Sequence, residues 1–143
     1  MSYKLSQNPD IILYFEEVRK EHVHKYLLLN KELNKYSISL LMIRKGKGGG
    51  PYGIEEEYYN KHFSEEYKKN VLLVDDNIAA QIIHNNTSKI AVFGSGKFVN
   101  ASIINHCKSK GALTFQVSKV FGDLYNKGAD ISCYINELHL QCD

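Results

Sequence analysis

Apolar residues in this chain occur in short runs, and each run ends at a polar or glycine-containing turn. None of them approaches the roughly 20 apolar residues that a membrane-spanning helix needs. Runs of this length are typical of strands and short helices that share one core. The 143 residues suit a single domain and exclude most large enzyme scaffolds. We expect one domain over residues 1–143, with a helical or hairpin extension over 1–53 and an α+β core over 54–143.

Charge, cysteine content and the N-terminal sequence say more about the cellular compartment of the protein than about its function. Eighteen basic and 16 acidic residues give a net charge of +2, which is too even to identify a nucleic-acid binder from bulk electrostatics. Lysine, asparagine, isoleucine and tyrosine are plentiful, a bias typical of a virus or an AT-rich genome. Three cysteines without regular spacing argue against a disulfide framework. With no signal-peptide pattern at the N-terminus, we expect an intracellular protein, cytoplasmic or nuclear in a host cell, that is not secreted and binds no membrane.

The hydrophobic pattern predicts a mixture of helices and strands. Asn8-Pro9-Asp10 is a good helix start, because it combines a side-chain cap, a proline and an acid. The segment over residues 22–29 could continue this helix or form a strand. The other predicted elements are strands over 36–43, 70–74, 97–102 and 131–140, helices over 55–69 and 113–126, and a hairpin formed by 78–83 and 89–93. The economical fold class is α+β, an antiparallel sheet packed against two or three helices.

A glycine turn in the last third admits a different fold. Gly94-Ser95-Gly96-Lys97 is no phosphate-binding P-loop, because Ala91 stands where such a loop needs glycine. Residues 89–93, the turn, residues 98–109 and residues 112–117 can nevertheless form a strand, a helix and a second strand. This arrangement makes a small nucleotide-binding, Rossmann-like domain an alternative, although Val99 stands at the third glycine position of the dinucleotide fingerprint.

Two further patterns suggest a metal and are not specific. Residues 71–77 look like the first strand and acidic turn of a receiver domain, but the later acid and lysine of that fold are missing. Thiolate and imidazole groups suit zinc, yet their spacing here matches no standard site. The candidate zinc ligands are Cys133, His139 and Cys142, with His106 or Cys107. We expect no metal, no cofactor and no catalytic residue, so an enzyme is the less favoured class.

The segment over residues 78–83, the stretch over 90–99 and the predicted helix from Leu113 occur in an order that resembles one repeat of the TATA-binding protein family. The sharpest part is Phe93-Gly94-Ser95-Gly96-Lys97, and the resemblance covers residues 78–128. It implies a half-saddle, a curved antiparallel sheet that lies in the minor groove of duplex DNA. A single repeat covers half of such a saddle, so the resemblance also implies a homodimer or a protein partner.

The resemblance implies roles for particular side chains. Phe93 and Ile78 would be the wedges that enter a base step, and Val99 would contact base edges. Ser95 would lie in the turn beside the DNA, and Lys97 and Lys89 would neutralise phosphates. Lys45 and Lys47 are further candidates for phosphate contacts, because the segment over residues 44–51 combines three cations with four glycines. The sequence thus favours a protein that binds duplex DNA or RNA, with a viral or phage protein-interaction module as the alternative.

Overall fold

The computed structural model describes residues 8–16, 23–35, 37–46, 54–94, 101–118 and 128–134. Within these ranges the chain forms six strands and five helices. The strands are β1 (Ile11–Phe15), β2 (Ser39–Arg44), β3 (Val71–Val74), β4 (Ile90–Phe93), β5 (Leu113–Ser118) and β6 (Ile131–Tyr134). The helices are α1 (Val23–Leu33), α2 (Glu56–His62), α3 (Glu65–Lys68), α4 (Asp76–Asn85) and α5 (Ala101–Ser109). The six strands form one sheet in the order β3-β2-β1-β4-β5-β6.

Every strand pair in this sheet is parallel. The predicted antiparallel α+β fold is therefore wrong, and the structure is an α/β arrangement of the Rossmann-like kind. The predicted hairpin is also wrong, because β4 pairs with β1 on one side and with β5 on the other. A half-saddle like that of the TATA-binding protein family requires antiparallel neighbouring strands. The predicted half-saddle is therefore also wrong.

Helices cover both faces of the sheet. On one face, α1 packs Tyr26 and Leu29 into a core that includes Leu13 and Phe115. On the other face, α4 and α5 contribute Ile82 and Ile104 to a second core that includes Phe93. Strands buried on both sides have nearly continuous apolar sequences instead of an alternating pattern. Burying one such side chain contributes about 1.5–3 kcal/mol, so the two cores hold the layers together.

Three predicted elements have the wrong type, and a fourth, the strand over 97–102, is wrong at its described residues, because Ala101 and Ser102 begin α5. The segment expected to begin a helix after Asp10 is β1, whose five residues are all buried. Residues 78–83, expected as a strand, lie in α4, because Asp75 caps that helix by accepting a hydrogen bond from the Ile78 N–H. Ala79, Ile82 and Ile83 then share the buried face of α4. The segment expected as a helix from Leu113 is β5, a strand between β4 and β6.

The N-terminal part of the chain builds the centre of the sheet. β1 lies between β2 and β4, and β2 lies between β1 and β3. The regions predicted as an extension over 1–53 and a core over 54–143 thus contribute strands to the same sheet. Among the described residues, no helix is long and apolar enough to cross a bilayer.

Candidate functional site

The chain reverses its direction of travel across the sheet between β1 and β4. From β1 it proceeds outward through β2 to β3, and α4 then returns it to β4 on the other side of β1. The helix after β1 packs on the first core, whereas the helix after β4 packs on the second. In open parallel sheets, ligands bind outside the carboxyl ends of the strands at such a switch point. The connecting segments over 17–22 and 95–100 lie outside the described residues.

Four polar side chains meet at the carboxyl edge of the sheet beside this switch point. The Tyr14 hydroxyl donates a hydrogen bond to Asp76 Oδ1 at 2.7 Å. Arg44 places Nη1 3.3 Å from Glu16 Oε1 and Nη2 3.1 Å from Asp76 Oδ2. Tyr14 and Glu16 come from the end of β1, Arg44 from the end of β2, and Asp76 from the first turn of α4. We call these four residues the carboxyl-edge network.

The members of the carboxyl-edge network differ in burial. The Glu16 side chain is 3% exposed, whereas those of Arg44 and Asp76 are 34% and 33% exposed. Burial raises the pKa of the Tyr14 hydroxyl, and its hydrogen bond to Asp76 raises that pKa further. Tyr14 is therefore a neutral donor at physiological pH. With two carboxylates and one guanidinium, the network carries a formal charge of −1, and only Arg44 and Asp76 present much surface to solvent.

Gly94 fixes the backbone at the switch point. A Cβ atom built on Gly94 would lie 2.7 Å from Cδ1 of the Phe15 ring. The Gly94 N–H donates to the Tyr14 carbonyl at 3.0 Å, and the buried Gln116 amide donates to the Gly94 carbonyl at 3.1 Å. The end of β4 is thus tied to both neighbouring strands, and a residue with a side chain does not fit there without displacement of Phe15.

The two wedge residues of the predicted DNA interface are not on an exposed sheet face. Phe93 is fully buried in the second core. Ile78 lies on α4 and packs half-buried against the same core. The resemblance implied one exposed sheet face that carries both residues. In the described part of the chain, the sheet face that carries Phe93 is covered by α4 and α5, and Ile78 belongs to the covering helix α4.

Of the predicted phosphate contacts, Lys89 and Lys45 lie within the described residues, at opposite edges of the sheet. Lys89 precedes β4 at the amino edge, where its ammonium group is 3.8 Å from Asp10 and its side chain is 85% exposed. Lys45 follows β2 at the carboxyl edge and forms an ion pair with Glu56 at 3.1 Å. Ser95, Lys97, Val99 and Lys47 lie outside the described residues. The structure brings Lys45 and Lys89 to opposite edges, and binding of nucleic acid by the protein stays a prediction.

The candidate zinc ligands are only partly described. Cys107 is buried on α5, and burial raises the pKa of its thiol to about 11. Cys133 lies in β6, while His139 and Cys142 fall outside the described residues. His106 packs against His84 with ring centroids 4.2 Å apart and the rings tilted by 55°. Within the described ranges, no three His, Cys, Asp or Glu side chains group in a way that could hold a metal ion.

The predicted site residues include neither Tyr14 nor Glu16. Arg44 enters the sequence pattern only as one of the three cations over residues 44–51, and Asp76 only as part of a receiver-like turn. A signal for three of the four was present. Glu16, Arg44 and Asp76 each lie at or just after the end of an apolar run, and the ends of parallel strands meet at one edge. This signal has meaning only once the strands are known to be parallel.

The fold and this edge define a doubly wound α/β protein with Rossmann-like strand order and a polar, partly buried network beside its switch point. The chain matches no protein-family model, and neither a curated protein nor a solved structure matches it.

Proposed function

We propose that this protein is a nucleotide-binding domain that takes a nucleoside phosphate at the carboxyl edge of its sheet, beside the β1–β4 switch point. The observation that carries the proposal is the carboxyl-edge network, in which Glu16 is 3% exposed at the end of a central strand. A buried carboxylate is costly to desolvate, so its placement at the edge where doubly wound folds bind ligands favours a functional role.

The segment between β4 and α5 supports the phosphate part of this proposal. Gly94, Gly96 and Lys97 occur there in sequence, ahead of a nine-residue helix. Glycines let a backbone approach a phosphate closely, and lysine and a helix N-terminus favour its negative charge. β4 precedes this turn, and α5 and then β5 follow it. β4 and β5 are parallel neighbours, as the Rossmann-like alternative requires.

The amino edge offers a contrast, because its polar side chains hold the fold together. The Ser39 hydroxyl donates to the Asn30 side chain at 2.8 Å, and Asn30 donates to the Asn70 carbonyl. Thr114 donates both its N–H and its hydroxyl to Asp130. These contacts join neighbouring elements at the amino ends of β2 and β5. The carboxyl edge is therefore the better candidate for a ligand site.

The test is calorimetric titration of the full chain with ADP, GDP, CDP, UDP and NAD, with thermal unfolding as a second readout. We expect at least one nucleotide to bind and, at about 100 times its Kd, to stabilise the fold by roughly 2.7 kcal/mol. The variant D76N should weaken binding. The matched control K89A, at the amino edge, should leave binding unchanged.

The same protein should be titrated into labelled AT-rich and GC-rich duplexes at two salt concentrations, with fluorescence anisotropy as the readout. Duplex binding that weakens with salt, together with no nucleotide binding, would overturn the proposal and favour a nucleic-acid-binding protein. No binding of any nucleotide or duplex would also overturn it, and would direct the search to protein partners.

A further inference from the structure

The exposed half of the carboxyl-edge network has a specific chemistry. Asp76 and Arg44 lie side by side, with Oδ2 of one 3.1 Å from Nη2 of the other, and each side chain is about one-third exposed. An ionised carboxylate only accepts hydrogen bonds, and a guanidinium only donates them. A ligand that fits both must offer a donor and an acceptor on adjacent atoms.

The formal charge of the network argues against a phosphate at this position. Two carboxylates surround one guanidinium, and both of the guanidinium's terminal nitrogens already contact a carboxylate. A phosphate placed there would be repelled by Asp76 and would have to compete with Glu16 for Arg44. Neutral hydroxyl groups meet no such penalty, because each can donate to Asp76 or accept from Arg44.

We infer that Asp76 and Arg44 bind the vicinal hydroxyls of a ribose, Asp76 accepting from one hydroxyl and Arg44 donating to the other. The inference rests on the proposed function and specifies its ligand as a ribonucleotide with an unmodified diol. The site selects against 2′-deoxynucleotides, which lack one partner, and against 2′-phosphorylated nucleotides, which bring a charge next to Asp76.

The rest of the network holds this pair in place. Tyr14 is buried, and its hydroxyl donates to Asp76 Oδ1 at 2.7 Å, so the carboxylate cannot rotate freely. The buried Glu16 accepts from the opposite side of the Arg44 guanidinium. Tyr14 and Glu16 are positioning residues in this scheme. Because the partners are fixed before a ligand arrives, little side-chain entropy is lost on binding.

The test compares ADP, GDP, CDP and UDP with their 2′-deoxy counterparts by titration of the full chain. Hydrogen bonds to charged groups are worth enough for the ribonucleotide to bind about 10-fold to 100-fold more tightly. In D76N this preference should fall to about 3-fold or less, because an amide accepts more weakly than a carboxylate. A control variant, E56Q, changes a carboxylate at the same edge outside the network and should keep the full preference.

Two further variants keep the inference testable if D76N does not fold. R44K retains the charge but loses the planar donor geometry, and Y14F frees one oxygen of Asp76. Both should lower the ribose preference while circular dichroism remains that of the wild type, an effect that a purely structural role would not produce. Equal binding of ribo- and deoxynucleotides by the wild type overturns this inference and leaves the proposed function standing. Failure of every nucleotide to bind overturns the proposed function and this inference with it.

Discussion

At Gly94 the fold depends on the absence of a side chain. Backbone conformation is not the reason, because among the described residues only Gly111 and Gly128 have a positive φ. The reason is space, since an added Cβ would lie 2.7 Å from the Phe15 ring, which is buried and packs on Tyr26 at a centroid distance of 4.3 Å. We expect G94A to lower the free energy of unfolding by about 1–3 kcal/mol, the usual cost of overpacking. Urea denaturation would measure it.

A double-mutant cycle with Phe15 isolates this contact. F15V alone should destabilise the protein, because it removes buried aromatic area. In the F15V background, however, the Cδ1 atom that the added methyl group would meet is gone, so the added cost of G94A should shrink markedly. If the two costs instead simply add, the clash between Cβ and the Phe15 ring is not what makes glycine necessary at this position.

Strands bounded by clear turn residues are predicted correctly from the sequence pattern. The predicted strands over 36–43, 70–74 and 89–93 overlap β2, β3 and β4. A helix was predicted at β1 because Asn8-Pro9-Asp10 resembles a helix start and because β1, buried on both faces, lacks the alternation that identifies a strand. β5 does alternate apolar and polar residues, but Leu113 and Val117, with Val120, Phe121 and Leu124, also repeat at helical spacing. α4 was taken for a strand because Ile78, Ile82 and Ile83 dominate its composition, and only the Asp75 cap marks it as a helix. The carboxyl-edge network could not be predicted, because its members are joined by strand order and not by sequence spacing.

Helices α4 and α5 touch through a pair of histidines, which makes their contact sensitive to pH. The rings of His84 and His106 are in contact, tilted by 55° with centroids 4.2 Å apart, and His106 Nε2 is buried with no hydrogen-bond partner. Burial, then His84 and Lys110, lower the pKa of His106 in the folded protein. The unfolded chain therefore binds this proton more readily, and the free energy of unfolding should decrease as pH falls through the ordinary histidine pKa of 6.5.

The variant H106F keeps an aromatic ring against His84 and removes the titration. We expect its free energy of unfolding to change less than that of the wild type between pH 7 and pH 5, in urea denaturation at each pH. H24Q, a change at an exposed position of α1, serves as the control and should follow the wild type. An identical pH profile for H106F and the wild type would show that the α4–α5 contact does not contribute to the pH dependence.

For the whole molecule, strand order predicts how stability is distributed. β1 and β2 each have a strand on both sides and are almost entirely buried, whereas β3 and β6 pair on one side only in the described sheet. Amides in strands with two neighbours open only in large unfolding events, while edge strands can separate locally. We therefore expect the amides of β1, β2 and β4 to show opening free energies in native-state hydrogen exchange that approach the global free energy of unfolding. The amides of β3 and β6 should show measurably smaller opening free energies.

This order of protection also separates two descriptions of the chain. If residues 1–53 were an extension on a core over 54–143, the amides of β1 and β2 would exchange before those of β4. In the parallel sheet, β1 hydrogen-bonds β4 along four matched residue pairs, so β4 cannot stay protected on that side once β1 has left. We expect the two strands to reach the same protection and to lose it together as denaturant is added. Earlier exchange of β1 than of β4 would contradict a sheet that folds as one unit around the switch point.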